Sequence, residues 1–338
     1  MPFHRVAIAS VAHLDPPNTL HSSEILQTLS PTLQRLGITT NVLEDVAGIY
    51  ARKLWDPGTT PSMVATQVAK MALDRALISP SQLGLLINTS VSRDFLEPST
   101  ASIVGGNLGV ASHCQNFDVS NACLAFLNGM DLAARMIEQG EIQYALVVDG
   151  ETAELVYEKT LERLLMKNVS LDQFKQELAA LTLGSGAAAM VLCSTDLAPN
   201  SPIYQGGVSR SATQWNTLCR GNLDQMVTDT KGLLVEGIKL AGLTFEAAKQ
   251  ELDWAISDFD EFIIHQVSQV HTQQLTQLLG IDPSKVMTIF GQHGNLGPAS
   301  LPVVLSKLQE QGRLIQGHQL ALLGIGSGLN CTMAKILV

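Results

Sequence analysis

Two rounds of alternating strand and helix signals predict an α/β protein built from two duplicated halves. Short apolar runs of strand length alternate with segments of helical periodicity. The same order of elements occurs twice, at roughly the same spacing. Hydrophobic residues make up 46% of the 338-residue chain against 15% charged, with 27 glycines. That is the composition of extensive buried sheet and close packing, not of a disordered chain.

In the first half, Leu83–Thr89 (LGLLINT) reads as a buried strand, followed by a helix around Ser99–Leu108. Strand Gln115–Ser120, helix Cys123–Glu138, strand Tyr144–Asp149 and strand Ala187–Cys193 complete the series. In the second half, Glu261–Val267 (EFIIHQV) opens a similar one, with helix His271–Leu279, strand Val286–Phe290 and helix Pro298–Gln309. Strands Gln319–Ile325 and Thr332–Leu337 end it. Such βα units predict a largely parallel sheet. The halves divide as 1–198 and 199–338, joined near Pro199–Gly207. The stretch Ala153–Leu181 has no counterpart in the second half and reads as a helical insertion forming a cap.

The net charge of −10, with no run of Lys or Arg, argues against a nucleic-acid partner. The first apolar run, Val6–Val11, is too short for a signal peptide, and no stretch reaches the roughly 20 apolar residues of a membrane span. Five cysteines (114, 123, 193, 219 and 331) form no CxxC pair, so neither a metal site nor a disulfide framework is expected. A soluble cytoplasmic protein follows.

The duplication brings equivalent strand-to-helix junctions together at the carboxyl ends of the strands, where α/β proteins place their sites. These junctions hold Asp118-Val-Ser-Asn-Ala-Cys123, His265-Gln-Val-Ser268, Gly291-Gln-His-Gly-Asn295-Leu-Gly-Pro-Ala299 and Gly324-Ile-Gly-Ser-Gly328. A cysteine at a helix N-terminus has its thiolate stabilised by unpaired amides and the helix dipole. His265 and Asn295 can donate hydrogen bonds to a developing oxyanion, and the amide of Ser327 can complete a second oxyanion hole with that of Cys123. Taken singly, each feature has a plainer explanation: a lone cysteine is usually a small buried hydrophobe, which suffices for Cys114, Cys193, Cys219 and Cys331. A lone histidine such as His293 is usually structural, and glycine-rich segments are usually turns. The combination at equivalent junctions points to acyl transfer on Cys123.

Four ordered segments, Asp118–Phe126 (DVSNACLAF), His265–Ser268 (HQVS), Gly294–Ser300 (GNLGPAS) and Gly324–Gly328, resemble the signatures of thiolase-superfamily condensing enzymes. The Cys-His-Asn order resembles β-ketoacyl-ACP synthase III, and the resemblance spans essentially the whole chain. It implies a thiolase-like five-layered αβαβα sandwich, a homodimer, an acyl-Cys123 intermediate, and a second substrate activated by His265 and Asn295. No cofactor is implied, since acyl-CoA is the substrate.

Departures from the pattern narrow this. Degradative thiolases carry a second cysteine where Gly324 stands here. In the synthase III enzymes an aromatic residue commonly precedes the proline of a loop that crosses the dimer, whereas this chain has Glu97-Pro98. A buried carboxylate is costly unless it has a task; the plainer reading is a solvated loop residue or a neighbour of a helix N-cap. Decarboxylating synthases need no base, but condensing two ordinary acyl thioesters requires removal of an α-proton, which suits Glu97 acting in the partner subunit. Val46 replaces a CoA-binding arginine, and Gln269-Val270 lacks the basic residue associated with carrier-protein docking. These features resemble the head-to-head condensing enzymes of bacterial long-chain olefin biosynthesis, which join two long-chain acyl-CoAs into a 2-alkyl-3-oxoalkanoate that downstream pathway enzymes can take up. A true synthase III using malonyl-ACP, an HMG-CoA synthase and a catalytically silent acyl-binding protein are the alternatives.

Overall fold

The computed structural model describes residues 2–338. Strand β1 (Val6–Leu14) opens the chain, buried on both faces through Val6, Ala7, Ile8, Val11 and Ala12. A small ribbon follows, β2 (Asn18–His21) with β3 (Ala51–Leu54), enclosing helices α1 (Ser22–Thr28) and α2 (Ser30–Leu36). Next come α3 (Pro61–Ala76), β4 (Leu85–Asn88), α4 (Thr100–Leu108), β5 (Gln115–Asp118), α5 (Ala125–Glu138) and β6 (Tyr144–Glu151). The expected insertion is present as α6 (Glu154–Leu164) and α7 (Leu171–Glu177), after which β7 (Gly186–Ser194) closes the first half.

The second half begins with β8 (Ile203–Ser211), a hairpin of β9 (Cys219–Gly221) and β10 (Met226–Thr228), and the long helix α8 (Thr230–Leu252). Then come β11 (Glu261–Ile264), α9 (Gln269–Leu279), the short α10 (Phe290–His293), α11 (Ser300–Glu310), β12 (Gln319–Gly326) and β13 (Asn330–Leu337). Among the described residues, no helix is long and apolar enough to cross a membrane.

Nine strands form one sheet in the order β11-β12-β13-β8-β1-β7-β6-β4-β5. The order reads outward from the centre as the same sequence in each direction. One paired position, Ala7 with Ile203, joins the halves. The sheet is mixed, not largely parallel as the βα pattern predicts. Parallel pairing is confined to β4–β5, β4–β6 and β11–β12, and the other neighbours are antiparallel. The reason is local in the second half, where β12 and β13 are joined by a tight turn that forces reversal. In the first half the α6–α7 excursion returns the chain to the end of the sheet it left.

Packing sorts the helices into layers. Alternate residues of β4, β6 and β7 (Ile87, Val147, Met190) join those of β11 and β12 (Ile263, Leu320, Leu322) around α5 and α11 in one central core. The opposite faces (Leu86, Val148, Ala189) pack on α3 and α4. Those of the second half (Phe262, Ala321, Met333) pack on α8 and α9. Helices α5 and α11 therefore form the middle of a five-layered αβαβα sandwich. Burying a single Leu, Phe or Met of α5 in that layer contributes about 1.5–3 kcal/mol.

The insertion packs away from these layers. Its Leu164, Val169, Phe174 and Leu181 form a separate cluster with Ile25, Leu29 and Leu43. Thr32 Oγ1 donates to Leu164 O at 2.8 Å and Arg35 Nη1 to Val169 O at 2.7 Å, fixing the cap to α2.

Residues 286–290, expected as a strand, make only one bridge, Val286 with Phe262, and run into α10. The Gln266 side chain takes the backbone groups a strand partner would use. Its Nε2 donates to Met287 O at 2.7 Å, and its Oε1 accepts from Ile289 N at 2.7 Å and Phe290 N at 3.1 Å.

Candidate active site

Cys123 lies in a 3-10 turn, Ala122–Leu124, that leads into the 14-residue α5. Ala122 before it has φ +46°, a left-handed conformation unusual for alanine. Asn121 secures the turn on both sides: its Nδ2 donates to Asn128 Oδ1 at 2.7 Å, and its Oδ1 accepts from Asn330 Nδ2 at 3.0 Å. Asp118, at the head of the same motif, caps α4 instead, accepting from Thr100 N at 3.0 Å and Ala101 N at 2.8 Å.

The β12–β13 turn carrying Ser327 sits on this loop. A Cβ at Gly326 would lie 2.7 Å from Asn121 O and 3.1 Å from Leu124 Cβ, so only glycine permits the approach. The Gly297–Ala299 turn packs on the Ala122–Leu124 turn from another side, bringing in the Asn295 loop. Asn295 is anchored by its backbone, donating to Thr182 O at 2.9 Å and accepting from Gly184 N at 3.0 Å. Its Oδ1 accepts from Gly297 N at 3.0 Å, which leaves Nδ2 as the outward donor. His265 follows β11 and donates its backbone N–H to Leu323 O of β12 at 2.9 Å, one strand from Ser327. The four segments that carry Cys123, Asn295, His265 and Ser327 are thus packed on or paired with one another.

Burial sets their protonation. Cys123 is half-buried as a residue, yet its thiol is pushed up to about 12, by burial first and then by Cys219, Glu151 and Asp149. This corrects the expectation of a stabilised thiolate: loss of solvation outweighs the backbone amide and the helix end. His265 is 1% exposed and pushed down to about 3 by burial, with His271 adding to the shift. It is therefore a neutral imidazole, suited to donating one hydrogen bond and not to holding a charge.

Glu97 does not join this group within its own chain. It is exposed at the tip of the β4–α4 loop, beside Phe95 and Leu96, which are 59% and 80% exposed. His293 is structural, with Nδ1 3.2 Å from Ile289 O and Nε2 3.3 Å from Asp15 Oδ2. Cys114, Cys193 and Cys331 are buried as expected, but Cys219 is half-buried, its sulfur accepting from Thr228 Oγ1 at 3.4 Å. Three residues that sequence reasoning passes over also shape the site: Asn121, Gln266 and Glu151. Asn121 and Gln266 stand inside the motifs that hold Cys123 and His265, and Glu151 lies two residues past the predicted strand Tyr144–Asp149.

Comparison with known proteins agrees with this geometry. Models of 3-oxoacyl-[acyl-carrier-protein] synthase III and of its C-terminal part match residues 117–205 and 250–337. An acyl-CoA:acyl-CoA alkyltransferase of Xanthomonas campestris is 65% identical over 336 residues, covering 99% of each chain. A β-ketoacyl-[acyl-carrier-protein] synthase III of Desulfitobacterium hafniense is 30% identical over 302 residues, 86% of each chain. A crystal structure of Xanthomonas campestris OleA with a cysteine-to-serine substitution and bound lauric acid and lauroyl-CoA superposes with a TM-score of 0.98 at 64% identity, covering 99% of this chain and 100% of that one. Related structures of the same enzyme carry substitutions at one glutamate and one histidine. The chain belongs to the 3-oxoacyl-[acyl-carrier-protein] synthase III family and is a condensing acyltransferase of the thiolase superfamily.

Proposed function

We propose that this protein condenses two long-chain acyl-CoAs head to head, without decarboxylation, to a 2-alkyl-3-oxoalkanoic acid. The observation that carries the reading is a Cys-His-Asn set of buried and half-buried groups, with a carboxylate, Glu97, exposed on an apolar loop of the same chain. Support comes from spacing. The glutamate, cysteine and histidine substituted in the Xanthomonas enzyme are separated by 26 and 142 residues, the same intervals that separate Glu97, Cys123 and His265.

The loop has a place to go in a homodimer. Strand β5 is the outer edge of the sheet, with Phe117 36% exposed and Val91, Phe95 and Leu96 forming an apolar surface nearby. An unpaired edge beside such a surface favours pairing with a second copy, which would carry each Glu97 into the other subunit's site.

In the proposed cycle the Cys123 sulfur attacks the thioester carbon of the first acyl-CoA. The amides of Cys123 and Ser327 hold the oxyanion, the thiol proton passes to the leaving sulfur, and CoA departs. The second acyl-CoA sets its thioester oxygen against His265 and Asn295 Nδ2. Glu97 of the partner subunit takes the α-proton, and the carbanion attacks the acyl carbon on Cys123, expelling the cysteine sulfur, which recovers that proton. Water then cleaves the remaining thioester, releasing the second CoA and the β-keto acid. The same reading places the enzyme in the cytoplasm, supplying the later enzymes of long-chain olefin formation.

Lauroyl-CoA alone tests this. The expected result is free CoA and the symmetrical ketone left when the β-keto acid loses CO2. Glu97→Ala should still acylate Cys123 but lose about 10²–10⁴-fold in condensation, the usual worth of a general base. Product formed only with malonyl-ACP would overturn the proposal in favour of the second reading, a synthase III of fatty-acid initiation.

A further inference from the structure

Glu151 ends β6, only 7% exposed, and its side-chain hydrogen bonds run to one place, while its carbonyl accepts from Trp55 Nε1 at 3.0 Å. Oε1 accepts from Val91 N at 2.6 Å. Oε2 accepts from Ser92 N at 3.2 Å and Ser92 Oγ at 2.6 Å. Thr152 adds to the grip, its N–H donating to Ser92 Oγ at 3.1 Å and its carbonyl lying 3.1 Å from the same oxygen. No basic side chain stands among these partners. A second tether follows at Asp94, which accepts from Ser62 N at 3.0 Å and Thr60 Oγ1 at 3.2 Å. The chain is fixed again where Ser99 caps α4, accepting from Ser102 N at 3.1 Å. Between these anchors only a short stretch projects, and Glu97 is at its tip.

We propose that Glu151 is a positioning residue that fixes the Val91–Ser92 loop and, through it, the Glu97 that its subunit delivers to the partner's active site. The inference rests on the reading of Glu97 as the base across the dimer. Both carboxylate oxygens accept from N–H or O–H donors, and charge-assisted bonds of this kind are about twice as strong as neutral ones. An amide in the same place would turn an NH2 toward a donor. Positioning matters here because a displacement of about 1 Å can cost about 10²-fold in rate. Burial pushes the Glu151 carboxyl up to about 7, and the hydrogen bonds from Ser92 and Val91 pull against that shift, favouring the carboxylate that accepts them.

The test uses the full-length dimer with lauroyl-CoA and follows two readouts: acyl label on Cys123 and condensed product. Ser92→Ala, which removes the other half of the clamp and is not among the groups acting on the Cys123 thiol, should acylate normally while condensation falls about 10- to 100-fold, and Glu151→Gln should lower the yield of condensed product per acylated Cys123 by at least as much. Loss of acylation in Ser92→Ala, or unchanged condensation in either variant, overturns the proposal. Mixed dimers, isolated with two different tags, then locate the effect. When Cys123→Ala sits in one subunit and Glu151→Gln in the other, the single working cysteine receives its Glu97 from a loop with an intact clamp, and condensation should run at the rate set by one wild-type site. When both substitutions sit in the same subunit, the working cysteine receives a loosened loop and condensation should be slow. The reverse pattern, or equal rates in the two arrangements, overturns the assignment. Glu97→Ala in the same assay separates the two claims: normal condensation there refutes the base reading itself.

Discussion

At the scale of single residues, the nucleophile is the instructive case. Cys123 and His265 were picked out because each stands at a strand-to-helix junction, a position that sequence periodicity locates, whereas Asn295 was picked out by its glycine-rich motif, the strand expected before it making only one bridge. The state of the thiol was not readable. A helix end is a local feature, whereas the burial and the acidic neighbours Glu151 and Asp149 that push the thiol up to about 12 come from other segments. A raised value means the protonated form persists through neutral pH, so the sulfur becomes nucleophilic only as its proton moves to the leaving group. Carbamidomethylation of Cys123 by iodoacetamide in the resting enzyme should therefore keep accelerating past the ordinary thiol range near 8.5. A plateau below pH 7, read by mass spectrometry, would show a stabilised thiolate instead.

Elements are legible where one face alternates or one stripe repeats, and β12, β13 and α5 follow that rule. Helix α3 gave a diluted signal because the larger residues of its buried face, Val64, Val68 and Leu73, are interspersed with the small Ser62, Ala65, Thr66, Ala69 and Ala72. Residues 286–290 misled for the opposite reason. Their apolar run looks like a strand, but the Gln266 side chain, far off in sequence, satisfies their backbone. Contacts between turns are equally invisible, and the site depends on one of them. Gly326→Ala would place a methyl group 2.7 Å from Asn121 O and lift the Ser327 turn from the Cys123 loop. Acylation by lauroyl-CoA should fall about 10²–10³-fold, the cost of one oxyanion donor, with the melting temperature showing that the fold survives. An unchanged acylation rate would remove Ser327 from the site.

For the whole molecule, the duplicated architecture was legible from element order, whereas the mixed pairing and the single-position seam between halves follow from tertiary closure. The role of Glu97 illustrates the limit best. Its departure from an aromatic marked it in the sequence, but the destination proposed for it depends on a second copy of the chain. Leu96→Asp and Phe117→Asp should each weaken the proposed dimer, shift sedimentation toward the monomer, and abolish condensation while leaving acylation of Cys123. A monomer that still condenses would place the base elsewhere. The shared middle layer has a further consequence, in the order of events at the ribosome. Helix α5 and its cysteine are made early, but the apolar face they present is closed only when α11, near the end of the chain, arrives to pack beside it. Domains form as they emerge, yet this one cannot close its middle layer until α11 has been released. The Cys123 thiol is therefore made well before the layer that encloses it, and a chain stopped before α11 would carry the thiol beside an open core.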